Sequence, residues 1–241
     1  FDILGTAVPF AKDKNGLDFP FDPTPLSGGA WTTPVPISTQ TVPNNVLVKN
    51  TKPSYAQDPR ANGTGGYVFW QEDQTDASGN NQARILYRQV TPQLGGVQVL
   101  APGGKSSESG AVRQAPRAAP VLLPKALQWF VFWNGSEQQK GNLLFSQSAD
   151  PTNPASWTAE SVVPTSPSLA TVSDASPAWI PSTGALWLFY NGFSQRLGRS
   201  DVYATKLDPT TLGTRQTTVT AATPGAPTQT YGLLGFAPRL G

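Results

Sequence analysis

Three stretches of the chain are apolar and aromatic without interruption: YVFW (67–70), WFVFW (129–133) and LWLFY (186–190). Runs that lack polar alternation predict strands packed on both faces. Each follows a proline and a short turn, in DPRANGTGG (58–66), APVLLPKALQ (119–128) and SPAWIPSTGA (176–185). A more mixed run comes next, ARILYRQ (83–89), GNLLFSQ (141–147) or SDVYATK (200–206). The period closes with GGVQVLA (95–101), SWTAESVV (156–163) or TRQTTVTA (214–221). Pro59, Pro120, Pro177 and Pro238 are spaced by 61, 57 and 61 residues. Four short β runs per period of about 60 residues is the pattern of a propeller blade.

The triplet DPT recurs at 22–24, 150–152 and 208–210. An Asx side chain before proline suits a tight turn, so the triplet is read as punctuation between third and fourth strands, on the outer side of each blade. Its copy at Asp22 places a blade ending near the N-terminus. GFAPRLG (235–241) resembles a first strand that stops, whereas 21–38 supplies a blade ending that lacks a first strand. With 3–10 and 17–21 as its second and third strands, one blade can be stitched from both chain ends, hiding the sheet edges. The expectation is a single all-β domain over 1–241, a four-bladed β-propeller with blades at 236–241 plus 1–38, 51–101, 113–165 and 172–221. The alternative is a ring of five or more blades of which the chain is a fragment.

Composition narrows the chemistry. The 241 residues include no Cys, His or Met, which removes Ser-His-Asp triads, thiol nucleophiles and thiolate or imidazole metal sites. Charged residues are 13% of the chain, about half the usual share, while 24 Pro and 23 Gly favour turns over long helices. The net charge of +2, with no long basic run, argues against nucleic acid as a partner. No apolar stretch is long enough for membrane insertion. A start at Phe1 implies a trimmed precursor or an excised fragment.

With the repeats aligned, the chain resembles the bladed glycosidases of the arabinanase and xylosidase group and, more distantly, the sialidases, over about 55–221. QDPRANGTGGYVFW is similar to the first blade of the arabinanase type, LWLFYNG with SDVYATKLDP to a pattern recurrent in that group, and SQSADPTNPASW to a loosened sialidase Asp-box. The resemblance implies that Asp58 begins an inner strand at the position of the general base. At the two further acid positions of that group stand Val121 and Ser176. One matching carboxylate is not the pair that glycoside hydrolysis needs.

The candidate residues follow from these readings. Asp58 and Asp174 are the catalytic candidates if the protein is an enzyme. Arg60, Arg117 and Arg239 could converge on the axial channel to grip a carboxylate, sulfate or acidic sugar. Trp179 is the candidate for an exposed stacking platform, whereas Trp70, Trp129, Trp133, Trp187 and Tyr190 are assigned to the core between blades. Glu72, Asp73 and Asp76, near Ser78 and Asn80, are hard donors of the kind calcium takes, but they lack the full loop spacing. A solvated hairpin is the preferred reading there and no cofactor is expected. The sequons at Asn62 and Asn134 are read as Asn-Gly turns.

The favoured function is a non-catalytic binding or scaffold module, extracellular, periplasmic or on the cell surface. Its partner would be a glycan or another extracellular protein. The alternative is a glycoside hydrolase acting on arabinan, xylan or sialylated glycans.

Overall fold

The computed structural model describes residues 4–5, 11–12, 18–19, 35–38, 46–60, 65–104, 113–135, 141–163, 165, 169–212 and 230–231. Four two-residue strands come first: β1 (Leu4–Gly5) pairs with β4 (Val35–Pro36), and β2 (Ala11–Lys12) with β3 (Asp18–Phe19). Three four-stranded antiparallel sheets follow, each pairing its strands in chain order. The first blade holds β5 (Leu47–Gln57), β6 (Gly66–Thr75), β7 (Asn81–Thr91) and β8 (Gln98–Val99). In the second are β9 (Gln114–Leu122), β10 (Leu127–Asn134), β11 (Leu143–Ser148) and β12 (Ser161–Val162). The third has β13 (Thr171–Ile180), β14 (Ala185–Ser194), β15 (Arg199–Leu207) and β16 (Thr230–Tyr231). These meanders, with their first strands packed side by side, are a β-propeller.

Uninterrupted apolar runs produce this packing because every second side chain on a central strand faces a different neighbour. On β10, Trp129, Val131 and Trp133 join Tyr67, Phe69, Ile85 and Tyr87 of the first blade. Phe130 and Phe132 on the opposite face join Leu186, Leu188 and Tyr190 of the third. On β6, Val68 and Trp70 point the other way and pack with Ile37. The third run departs from full burial: Leu186, Leu188 and Tyr190 are buried, whereas Trp187 and Phe189 are half-buried.

Several boundaries differ from the sequence reading. The first blade begins at Leu47, in a mixed segment (47–57) with no apolar pattern, so Asp58 follows the innermost strand and does not begin it. Pro59 therefore lies in a loop, while Pro120 and Pro177 lie within β9 and β13, opposite Trp129 and Leu188. The prolines do not mark one structural position. In the third blade, Thr230–Tyr231 pairs with β15; the expected last strand at 214–221, the expected first strand at 235–241, Pro238 and Asp22 lie outside the described residues.

What does recur is a bulge on each innermost strand. Lys52, Ala115 and Asp174 have φ of 52°, 52° and 55°, in the left-handed region that side chains rarely adopt. Each pairing register slips at that point, opposite Trp70, Trp133 and Tyr190 respectively. The amide that follows the aromatic residue then reaches the next blade. Gln71 Oε1 accepts from the Ala115 N–H at 3.1 Å, and Asn134 Oδ1 accepts from the Asp174 N–H at 3.1 Å. Because both bonds join equivalent positions, the innermost strands run in one direction around the ring. Gln71→Ala is expected to cost about 1–3 kcal/mol, measured by urea unfolding, because the buried Ala115 N–H would lose its acceptor. A change below a few tenths would show the clamp to be dispensable.

Candidate functional site

A cleft of about 420 Å³ opens between the first two blades, at the end where β5 finishes. The first blade contributes Asp58, Arg60, Gly65, Tyr67 and Gln89; the second contributes its β9–β10 turn, Trp129 and the segment 149–152. Its size is that of a small-molecule site.

Asp58 is buried and fully engaged. Its carboxylate accepts Arg60 Nε at 2.9 Å from each oxygen, the Arg60 backbone N–H at 3.0 Å, and Arg60 Nη2. Its own N–H donates to the Gly65 carbonyl at 2.8 Å, closing the loop to β6. The Arg60 side-chain hydrogen bonds hold the Asp58 carboxyl below the usual carboxylate range, against the opposing effect of burial. A depressed folded-state pKa contributes stability that is present above the unfolded pKa and lost as pH falls through the folded one. Denaturation from neutral pH into the acid range should therefore show Asp58→Asn losing less stability than the parent. Identical acid dependence in both would rule out this linkage.

Asp150 stands on the other wall, and the DPT triplet does form a turn. Asp150 Oδ1 accepts the Thr152 N–H at 3.0 Å and the Thr152 hydroxyl at 2.5 Å; Asp208 Oδ1 repeats this with Thr210 at 2.9 and 2.6 Å. The punctuation reading holds for these two copies. That such turns stay clear of any shared site does not, because the turn of one blade abuts the loop of the blade before it. Tyr67, edge-on to Trp129 with ring centroids 5.0 Å apart, has its hydroxyl pKa raised by burial and then by the Asp150 charge. Asp150 and Tyr67 are the cleft residues that sequence reasoning missed. The signal for Asp150 was the triplet itself, discounted because it marked a turn.

The other candidates are dispersed. Asp174 is exposed at the bulge, its Oδ2 accepting from the Ser173 hydroxyl at 2.9 Å and from Asn191 Nδ2 at 3.2 Å. Lys52 is the equivalent residue of the first blade, and Asp58 lies six residues beyond it, about 20 Å further along the strand direction. Asp58 and Asp174 thus occupy opposite ends of the innermost strands. Arg117, two residues past its own bulge, donates to the Pro116 carbonyl at 3.1 Å and is likewise distant in level from Arg60. Arg239 and Asn62 lie outside the described residues. The arginine convergence is not found among the described residues. Trp179 is no open platform either. It pairs with Leu186 and packs on the core between the second and third blades, its buried indole N–H without a partner among the described residues.

The calcium candidates separate for a simple reason. Successive residues of a strand face opposite sides, so Glu72 and Asp73 diverge. Glu72 is fully buried against Arg84, and Asp73 accepts from Gln71 Nε2 at 2.7 Å. Asp76 caps its own hairpin, accepting from the N–H groups of Ser78 at 2.8 Å and Asn80 at 2.9 Å. Among the described residues no group of three or more acidic side chains could hold a metal ion. Asn134 ends β10, where it serves as the inter-blade acceptor. Among the described residues no helix is long and apolar enough to cross a membrane.

The fold has likenesses among solved glycosidases. The catalytic domain of a Coprinopsis cinerea GH62 alpha-L-arabinofuranosidase is similar at 19% identity and TM-score 0.44, over 66% of this chain and 45% of that one. An alpha-L-arabinofuranosidase from Podospora anserina, solved with cellotriose, gives 16% identity and TM-score 0.42, over 66% and 46%. A GH62 hydrolase solved with xylotriose gives 16% and 0.41, again over 66% and 46%. The chain thus spans less than half the length of these structures. A likeness at this level transfers neither activity nor substrate. No protein-family model matches the chain, and no curated protein matches it.

Proposed function

We propose that the chain is a non-catalytic β-propeller that binds a small polar ligand in the cleft between its first two blades, as a carbohydrate binder or an accessory subunit of an extracellular, periplasmic or cell-surface assembly. The observation that carries this reading is the clasp on Asp58. A general base needs a carboxylate free to take a proton, and this one is saturated by Arg60. Its expected partner Asp174 lies at the other end of the innermost strand. Carboxylates that cleave glycosidic bonds stand about 5–9.5 Å apart.

A second reading is favoured by one fact: Asp58 and Asp150 line the same cleft. In a glycoside hydrolase of this kind the two would flank the scissile bond. Incubation with arabinan, xylan and sialylated oligosaccharides separates the readings. No release of sugar is expected from the parent protein. Hydrolysis that disappears in Asp58→Ala or Asp150→Ala would establish the enzyme instead.

A further inference from the structure

Five side-chain polar atoms on residues lining the cleft have no hydrogen-bond partner among the described residues. They are Arg60 Nη1, the Tyr67 hydroxyl, Gln89 Oε1, the Trp129 indole N–H and Asp150 Oδ2. Two are donors only, two are acceptors only, and the tyrosine can do either. A ligand that satisfies such a mixture must donate and accept from adjacent atoms. Vicinal hydroxyls do this.

Charge restricts the ligand further. The charged lining residues among those described are Asp58, Arg60 and Asp150, one negative charge in excess. The arginine that would grip an anion has presented its Nε and Nη2 edge to Asp58. A bidentate carboxylate or sulfate contact on that edge is no longer available. Tyr67 and Trp129 are nearly buried, at 5% and 2% exposure, so they offer polar edges and no open stacking face.

We infer that the cleft takes an uncharged sugar ring through Asp150 and Tyr67 and rejects acidic sugars. This rests on the binding-module reading and names its ligand class. The matched probes are methyl glucoside against methyl glucuronide, and methyl galactoside against methyl galacturonide, with methylammonium as a cationic control. Binding is followed by tryptophan fluorescence and by saturation-transfer NMR. At least one neutral glycoside should bind roughly tenfold tighter than its uronide, since one charged hydrogen-bond partner is worth about that factor. Asp150→Asn keeps Oδ1 as the acceptor of the Thr152 turn and Tyr67→Phe keeps the ring, so both variants should fold. Each should weaken the neutral sugar several-fold, and Asp150→Asn should narrow the gap to the uronide.

Tighter binding of a uronide or of methylammonium would overturn the inference while leaving a binding module in place. So would neutral-sugar binding that neither variant alters, which would move the site elsewhere. Failure of every probe to bind would remove the inference and the binding-module reading together.

Discussion

Trp157→Ala is expected to lower the free energy of unfolding by about 3–5 kcal/mol, the cost of emptying a fully packed tryptophan site. The residue follows a short 3-10 turn (Pro154–Ser156) in which Asn153 Oδ1 accepts the Ala155 N–H at 3.0 Å. That turn delivers the indole from the second blade into the first, where it meets Phe69 edge-on at 6.1 Å and Tyr87 at 5.8 Å. At 1% exposure it can be replaced by nothing smaller without a void. Its N–H donates to the Tyr87 hydroxyl at 3.2 Å, and that hydroxyl donates onward to Gln98 Oε1 at 3.2 Å. Burial is the main cause that pushes the Tyr87 pKa up to about 12, so this phenol stays neutral throughout the working range. Trp157→Phe retains an aromatic ring and removes the donor, and should cost clearly less than the alanine change. Urea denaturation with an unchanged m-value measures both. A loss below about 1 kcal/mol for alanine would mean that the blades do not depend on this wedge.

Arg84→Ala is expected to show the second large effect, about 3 kcal/mol, near the lower end for breaking a buried ion pair because Arg84 is itself partly exposed. Glu72 has no exposed surface. Its Oε1 accepts Arg84 Nε at 2.6 Å and Gln74 Nε2 at 2.8 Å, whereas the buried Oε2 has no partner among the described residues. Without the arginine, a charge already short of hydrogen bonds loses its counter-ion. Replacing both residues together, Glu72→Leu with Arg84→Met, should recover most of the loss, since a buried pair is often matched by apolar side chains of similar volume. Thermal and chemical unfolding of Glu72→Leu, Arg84→Met and the double variant form a closed cycle. If the double variant is as unstable as Arg84→Ala, the pair is not what sustains this position.

The route from sequence to site was uneven for reasons visible in particular residues. Strands β6, β10 and β14 were legible because burial on two faces demands apolar side chains at every position, and few other structures demand that. Strand β5 was not, because an innermost strand with exposed Lys49, Lys52, Tyr55 and Gln57 carries no such pattern. Missing it moved Asp58 from the start of an inner strand to the loop beyond its end. The amide clamps were in plain view as the residue after the first two aromatic runs, Gln71 and Asn134, yet nothing local distinguishes a clamp from a turn. Their meaning depends on the left-handed residue of the next blade, which for Ala115 leaves no trace in the sequence.

Turn chemistry was determined locally. Asp150 and Asp208 cap the residue two positions on, and such a bond requires only three consecutive residues. Strand class and the meander order follow from the same short-range logic, because hairpins join neighbours in the chain. The cleft, by contrast, joins Asp58 and Tyr67 to Trp129 and Asp150 across two blades, and its existence depends on the level at which those blades dock. Docking level is set by the packing of Trp129, Val131 and Trp133 against Tyr67, Phe69 and Tyr87, a sum of many small contacts. The fate of Asp58, by contrast, was decided within three residues: Arg60 turned back onto it, and a residue that resembled a catalytic base became one half of a clasp.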